Sequence, residues 1–539
     1  MRSGYREGVG ELENQDGQTL VRVQDPVKRP DTLRARLAAM AWREGTSAFV
    51  TNEVPFSYSA GPLLAKSIAR LVCDRARRVE GDVRLMELGA GLGYLSRHVM
   101  DRLKDESPEV YARCRFEVTD GSSDVVREIQ ERGILEAHGD RATARVADLR
   151  DPSTIAASRP LVVMMSYLLD SIPPRVVSEE GEVEIATSIS SEATLADTSE
   201  WPPRFLTGDA LREVLSDAEG MTVPVARRAA GLLVEAPRSG EVSFRNQRTD
   251  IVDLLADVQR SLPDEALMLI TDFGYAAEKA SGPFAEMTTE YGLCAFWAVF
   301  FYELALGVRI AGYSATLHRG HEGGTHTMAI YHPSEEALIR EAFKSAFDDV
   351  VSDRPATVLY ALEEDAGADE VLAAVEKIER TMVREEVDAY GNLSRFVHLL
   401  LPFGHVREAE RYARRCFDLY PEIAAPEATI LGSLVGRQGD LDQAKDWFER
   451  AIEIAPGYGP GHHGLAGVCR MQEAWPDYHE AMQQYIRTCE GDLFAPMWSI
   501  AQSLKGTSLS REANEAKQWV REAAKEVPWL VPGEVCSKV

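Results

Sequence analysis

The sequence predicts an α/β domain built on an open parallel sheet, followed by a second domain made of helices alone. Three observations carry that expectation. From Arg84 to about Gly274, short apolar runs alternate with helix-period segments, the pattern of strands joined by crossover helices. One of those runs, Leu85-Met-Glu-Leu88, passes directly into Gly89-Ala-Gly-Leu-Gly93 and then into a helix-like stretch from Leu95 to Leu103. After Pro333 strand signals fade, and Ala409, Cys416 and Pro421 return as Ala444, Ala451 and Pro456, each 35 residues on. At 539 residues the chain is also too long for a single hydrophobic core.

Residues 1 to about 30 are rich in Gly, Glu, Gln and Asp and are expected to form a loose arm. Helical spacing begins at Leu33, Leu37, Met40 and Ala41 and returns from Leu63 to Val79. Five strands are expected at Arg84–Leu88, Arg115–Thr119, Thr143–Ala147, Leu161–Met165 and Ala266–Thr271. Between the fourth and fifth lies an insertion, about 175 to 262, whose first piece from Arg175 to Ile185 has hairpin character around Gly181. An insertion there sits beside the carboxyl ends of the strands, where open α/β sheets bind ligands. It is either a substrate-selecting element or a surface excursion. The most apolar run, Leu293 to Tyr302, is about half the length needed to cross a bilayer and is expected to be a buried helix.

Composition excludes several classes of function. Lys plus Arg number 59 against 86 Asp plus Glu, a net charge of −27, and such a chain repels phosphate backbones. Nucleic acid is therefore not expected as a partner, and no membrane segment is seen. The seven cysteines (Cys73, Cys114, Cys294, Cys416, Cys469, Cys489 and Cys536) are odd in number and never form a C-x-x-C pair. They point to reduced thiols in a cytoplasmic setting, with neither a disulfide framework nor a metal site. Met1 to Asp25 lacks the apolar core of a secretion signal.

The glycine run narrows the chemistry. Dinucleotide sites require G-x-G-x-x-G, but the third glycine position of that pattern is Tyr94 here. An acid, Glu87, ahead of Gly89, Gly91 and Gly93 resembles instead the first motif of the Rossmann-like class I methyltransferases, which use S-adenosylmethionine (SAM). Backbone donors from Gly89 to Gly93, including Ala90, can take the ligand's carboxylate. Its ribose diol wants an acid at the end of the second strand, and Asp120-Gly121-Ser122 supplies one; an N-cap to the next helix is the alternative reading of Asp120. Asp148-Leu149, after the third strand, is placed to reach the adenine or to form an ordinary turn. Ser166, Tyr167 and Asp170 follow the fourth strand, beside the reacting centre in that fold, and Asp170 is the candidate for orienting the nucleophile.

Further phrases resemble the MidA-like SAM methyltransferases, a family that includes an arginine methyltransferase acting in complex I assembly. Phe49-Val-Thr-Asn-Glu-Val-Pro55 is similar to the family's F-x-T-x-x-E phrase. Asp120-Gly-Ser122 with Val126 and Gln130 matches its second-strand phrase, and Ser166-Tyr-Leu-Leu-Asp-Ser-Ile-Pro173 echoes N-E-x-L-D-A-L-P. Glu235-Ala-Pro237, Asp272-Phe-Gly-Tyr275 and Thr316-Leu-His-Arg-Gly-His321 follow in order, over about residues 46 to 332. The resemblance implies a SAM cofactor and catalytic roles for Asp170, Tyr167 and Glu235. Two departures matter. The family's Asn-Glu is Ser166-Tyr167 here, and its closing Asp-Ile-Thr-Ala-His is Thr325-His-Thr-Met-Ala329. Arginine is best held by carboxylates, and these changes remove two. Asp170, Glu235, Asp272 and Glu53 remain as anchors for a cation, while Tyr167 could stack on a planar acceptor.

The 35-residue repeat, clearest from Leu434 to Pro456 with a fainter copy from Gly459 through Tyr485, resembles a tetratricopeptide repeat. Such arrays bind peptides or partner helices, or serve only for packing or self-association. The expected plan is an N-terminal arm and helix over 1–45, a methyltransferase domain over 46–332, a helical linker over 333–390 and repeats over 391–539. The expected activity is methyl transfer to N or O of a protein or peptide, with arginine among the acceptors. A small-molecule acceptor and a non-catalytic assembly role are the alternatives.

Overall fold

The structure is a computed structural model describing residues 12–13, 19–42, 45–50, 54, 61–199, 201–238, 243–320, 324–347, 358–359, 366–489 and 493–526. Helix α1 spans Leu33–Ala41, opened by Thr32, whose hydroxyl accepts from the Ala35 N–H. The central sheet contains β1 (Val83–Leu88), β2 (Cys114–Asp120), β3 (Ala142–Val146), β4 (Val162–Ser166), β5 (Leu267–Tyr275), β6 (Ser314–His318) and β7 (Gly324–Tyr331). Its order is β6-β7-β5-β4-β1-β2-β3. The first five strands run parallel, and β7 adds antiparallel to β5 with β6 antiparallel beyond it.

Buried on both faces, β1, β4 and β5 read as nearly continuous apolar runs, as parallel strands must. One face packs on helices Pro62–Ala76, Tyr94–Glu106 (α2) and Glu336–Phe347. The other packs on Thr249–Ser261 and Phe301–Ile310. The five expected strands are all present, with β5 extended four residues past its expected end. Helix α3 (Ser123–Glu131) follows β2 and is capped by the Ser122 hydroxyl, which accepts from the Val125 N–H at 3.4 Å.

Two expectations are corrected. Within the expected loose arm, Thr19–Val27 is a strand paired antiparallel with Ile185–Ser190 of the insertion; the alternation of Leu20, Val21 and Val23 among polar residues finds a partner only in the folded chain. Within the expected buried helix, Cys294–Trp297 is a strand paired with Thr288–Tyr291, and the helix starts only at Phe301. The run is buried as expected, but aromatic side chains over so short a stretch suit a strand.

The insertion opens with the antiparallel pair Arg175–Ser178 and Gly181–Glu182. Further along it, Thr194–Asp197 and Arg204–Thr207 form a hairpin.

Behind the sheet lie α4 (Tyr390–Leu400), α5 (Val406–Leu419), α6 (Ala425–Arg437), α7 (Leu441–Ile454), α8 (Gly459–Met471), α9 (Trp475–Thr488), α10 (Phe494–Ser503) and α11 (Ser510–Glu526). They form four successive hairpins beginning at Tyr390, Ala425, Gly459 and Phe494, which are 35, 34 and 35 residues apart. Small residues sit where helices cross: a Cβ on Gly464 would lie 2.1 Å from Phe448, and one on Gly432 would lie 3.1 Å from it.

The turns between hairpins dock on the α/β domain. Tyr94 Oη donates to Glu422 at 2.7 Å, and Arg132 donates to the carbonyls of Glu422 and Ile454, each at 2.9 Å. Arg228 donates to the carbonyls of Ile486, at 3.2 Å, and Cys489. The insertion hairpin adds Phe205, stacked on Phe494 at 5.8 Å. Ile454 ends α7 and Ile486 lies in the last turn of α9, so both arginines meet the negative ends of helix dipoles.

Candidate active site

A cavity of about 550 Å³ opens at the carboxyl ends of β1, β2, β3 and β4. Its first wall grows out of the glycine turn. Gly89, Gly91 and Gly93 have φ of 67°, 53° and 77°, conformations that side chains resist. A Cβ on Gly91 would also lie 3.2 Å from the Phe49 ring. The turn is tied down by Ala90 N–H donating to Thr119 O at 2.9 Å. Glu87 lies beneath it, fully buried, accepting from the Ser96 N–H at 3.2 Å and from the Ser96 hydroxyl. Burial raises its carboxyl to about 7. Its place at the first turn of α2 suits an acid at the positive end of a helix.

Asp120 stands at the end of β2 with one oxygen accepting from Gly91 N–H at 3.2 Å and the other from Ser122 N–H at 2.9 Å. Burial raises its carboxyl above the ordinary range, and those N–H donors oppose the shift. Gly121, Ser122, Asp148 and Leu149 complete this wall with Gly89, Gly91 and Asp120. Glu87, Ala90, Gly93 and Ser166 are not among its lining residues; the first three build the turn, and Ser166 ends β4.

A second, apolar wall comes from distant stretches: Ala35, Ala38 and Trp42 around α1, Phe49, then Ile172, Pro173 and Trp297. Trp42 lies 5.8 Å from Phe49 and 6.2 Å from Phe296 between ring centres. Tyr167 also lines the cavity. Its φ is 50°, unusual for a bulky residue and a sign of a constrained position. Its N–H donates to Thr271 O at 2.8 Å, and its hydroxyl lies 2.7 Å from Thr325 Oγ1.

Asp170 does not line the cavity. It is buried below the loop beside Asp272, whose Oδ2 accepts from the N–H groups of Leu169 and Asp170 at 3.0 and 3.1 Å. Burial, and then the neighbouring Asp272 charge, hold the Asp170 carboxyl well above the carboxylate range. Burial lifts Asp272 to about 7, opposed by the Arg248 guanidinium. Asp170 O accepts from Trp297 N–H at 2.8 Å, and Arg248 donates to the carbonyls of Ile172 and Trp297 at 2.8 and 3.0 Å. The carboxyl pair and Arg248 thus hold the loop that carries Tyr167, Ile172 and Pro173 against the end of the strand that carries Trp297.

Glu235 is also absent from the cavity lining. It lies in strand Val234–Pro237, 3.6 Å from the buried Arg29. Glu53 lies outside the described residues. Sequence reasoning missed Trp42 and Trp297, which belong to no motif, and gave no role to Ile172 although it lies in the Ser166–Pro173 phrase; only the density of aromatic residues near 42–49 and 296–301 marks the two tryptophans. Among the described residues no group of three or more His, Cys, Asp or Glu is disposed to hold a metal ion, and no helix is long and apolar enough to cross a membrane.

The cradle fits SAM: glycines where a side chain would collide, free space over their backbone, and an acid on the adjoining strand. The α/β part of this chain is a SAM-dependent methyltransferase with the Rossmann-like fold of that class, and SAM is its cofactor. Residues 64–291 match the model of a family described as "Putative S-adenosyl-L-methionine-dependent methyltransferase".

A protein from Burkholderia thailandensis solved bound to S-adenosyl-homocysteine is 16% identical, with 57% of this chain and 88% of that one covered at a TM-score of 0.35. MamA is 19% identical over 30% of this chain and 90% of its own, at a TM-score of 0.26. The Drosophila melanogaster protein O-mannosyl-transferase Tmtc1 is 36% identical over 81 residues, which is 15% of this chain and only 9% of that relative's length. These three likenesses are too slight to bear on function.

Proposed function

We propose that this methyltransferase acts on N or O of an uncharged, planar small molecule, and that Gly89, Gly91, Asp120, Ser122, Asp148 and Leu149 hold the cofactor against the first wall. Bound there, SAM supplies an electrophilic methyl group. The observation that carries the reading is the distribution of charge in the cavity. Among the described lining residues the carboxylates are Asp120 at the end of β2, Asp124 in the first turn of α3 and Asp148 in the loop after β3. The wall made by Trp42, Phe49, Ile172, Pro173 and Trp297 carries none, and Asp170 and Asp272 are buried behind it. A guanidinium would lose its hydration there without a bidentate partner, whereas a flat neutral ring gains stacking area.

In this reading Tyr167 and Trp42 orient the acceptor and keep water out, and Asp170 is a positioning residue acting through the Asp272 pair. Glu235 belongs to the packing between the N-terminal strand and the insertion. The helical hairpins, read as tetratricopeptide repeats, brace the catalytic domain.

The test is SAM with a radioactive methyl group, incubated with the purified chain and cell extract, counting macromolecules and small molecules separately. Label in the small-molecule fraction, lost in Gly91→Val, is expected. Label confined to protein would return the reading to a peptide acceptor, with the repeats as its receptor.

A further inference from the structure

We infer that the helical repeats set the position of the aromatic wall of the SAM cavity, by way of Arg132 and Glu128; the inference rests on the SAM site described above. Helix α3 joins the two regions. At its N-terminal end Ser122 lines the cavity, and its hydroxyl donates to Trp42 O at 3.1 Å. One turn before its C-terminal end, Glu128 Oε2 accepts from the Thr46 N–H at 3.2 Å and from the Thr46 hydroxyl. Thr46 is completely buried and begins the helical turn Ser47–Val50, whose Phe49 faces the glycine cradle. The segment bearing Trp42 and Phe49 is therefore pinned to α3 at two points, Trp42 and Thr46.

Glu128 is itself held by Arg132, whose guanidinium donates to the same Oε2 at 3.4 Å. The other terminal nitrogen of Arg132 donates to Glu422 O and Ile454 O. Those carbonyls belong to the turns that end α5 and α7. The repeats thus fix the guanidinium, the guanidinium fixes the carboxylate, and the carboxylate fixes the turn that carries Phe49. Charge-assisted hydrogen bonds of this kind are directional, so displacing the repeat turns relaxes the whole series. Gly45 supports the same arrangement: its φ is +65°, and a Cβ there would lie 1.9 Å from Glu128 Oε1. The chain at that point is shaped to let the carboxylate approach.

The test uses the full chain and calorimetric titration with S-adenosyl-homocysteine, which needs no acceptor and reports on Phe49 because its ring stands over Gly91 of the cofactor wall, 3.2 Å from where a Cβ there would lie. Arg132→Met is expected to raise the dissociation constant at least fivefold, and Arg132→Lys to bring it back within threefold of the parent. Glu128→Gln should raise it over a similar range, and the double variant Arg132→Met/Glu128→Gln should be no weaker than the weaker single variant. Arg228→Met is the control, since it cuts the other carbonyl clasp to the repeats without touching the cavity wall. It should lower Tm as Arg132→Met does while leaving the dissociation constant within twofold.

An unchanged constant in Arg132→Met, or an equal rise in Arg228→Met, overturns the inference while leaving the SAM site standing. A parent chain that binds no S-adenosyl-homocysteine overturns the site itself.

Discussion

The two walls of the cavity differ in how they are made. The first is written in short contiguous phrases, Glu87–Gly93, Asp120–Ser122 and Asp148–Leu149, each at the end of one parallel strand. It presents glycine backbone and carboxylates, and Asp120 is itself held by the Gly91 and Ser122 N–H groups. The second gathers single apolar side chains from α1, from the turn at Phe49, from the loop after β4 and from Trp297. A cofactor with fixed chemistry demands fixed partners at fixed spacing. A neutral acceptor demands only shape, which many sequences can supply by packing.

The sharpest way to break this contrast is Gly91→Val. At φ 53°, with Phe49 already in contact range, a branched side chain should abolish S-adenosyl-homocysteine binding, a loss of about 100-fold or more by calorimetry. Retained affinity would mean that the glycine wall is not the cofactor wall. Next comes Asp120→Ala, which removes a charge-assisted acceptor and should cost about 1.5–3 kcal/mol of cofactor affinity.

On the other wall, Trp42→Ala should lower kcat/KM for the acceptor by roughly tenfold, from lost aromatic contact. Its effect on cofactor affinity should be smaller. If cofactor affinity falls further than kcat/KM, Trp42 belongs to the first wall.

The smallest effect concerns the buried carboxyls. Glu87 and Asp272 are each raised to about 7, so between the ordinary carboxyl pKa near 4 and about pH 7 the folded chain binds more protons than the unfolded one. Their contribution to stability then falls as pH rises through that window. Asp170→Asn keeps a donor for Asp272 and removes one of the paired charges. It should flatten the decline of Tm between pH 5.5 and 7.5 while leaving S-adenosyl-homocysteine affinity within about twofold of the parent. A decline as steep as the parent's would show that the Asp170 carboxyl contributes nothing to it.

How much was legible follows from the same contrast. The strands of the sheet and the glycine cradle were readable because period, turn chemistry and ligand chemistry all act within a few residues. The placement of Asp170 was not, because burial against Asp272 is decided by a strand 100 residues away. The strand character of Cys294–Trp297 was hidden for a related reason: a short apolar run has no period of its own, and its pairing with Thr288–Tyr291 settled the matter. The N-terminal strand Thr19–Val27 depends on Ile185–Ser190 in the same way. Among the helical hairpins only the copy around Leu434–Pro456 was plain in sequence, yet all four recur at nearly constant spacing; crossings need small residues somewhere along the helix, not a fixed phrase.

The clasps of Arg132 and Arg228 have a consequence for how this molecule can change over time. Both grip main-chain oxygens, at Glu422, Ile454, Ile486 and Cys489, and every amino acid offers that same oxygen. At these four points the attachment is blind to side-chain identity. The hairpins can differ in sequence, as the four do, and still seat on the catalytic body. Substitution is cheap there, whereas a single inserted residue would shift each oxygen out of reach.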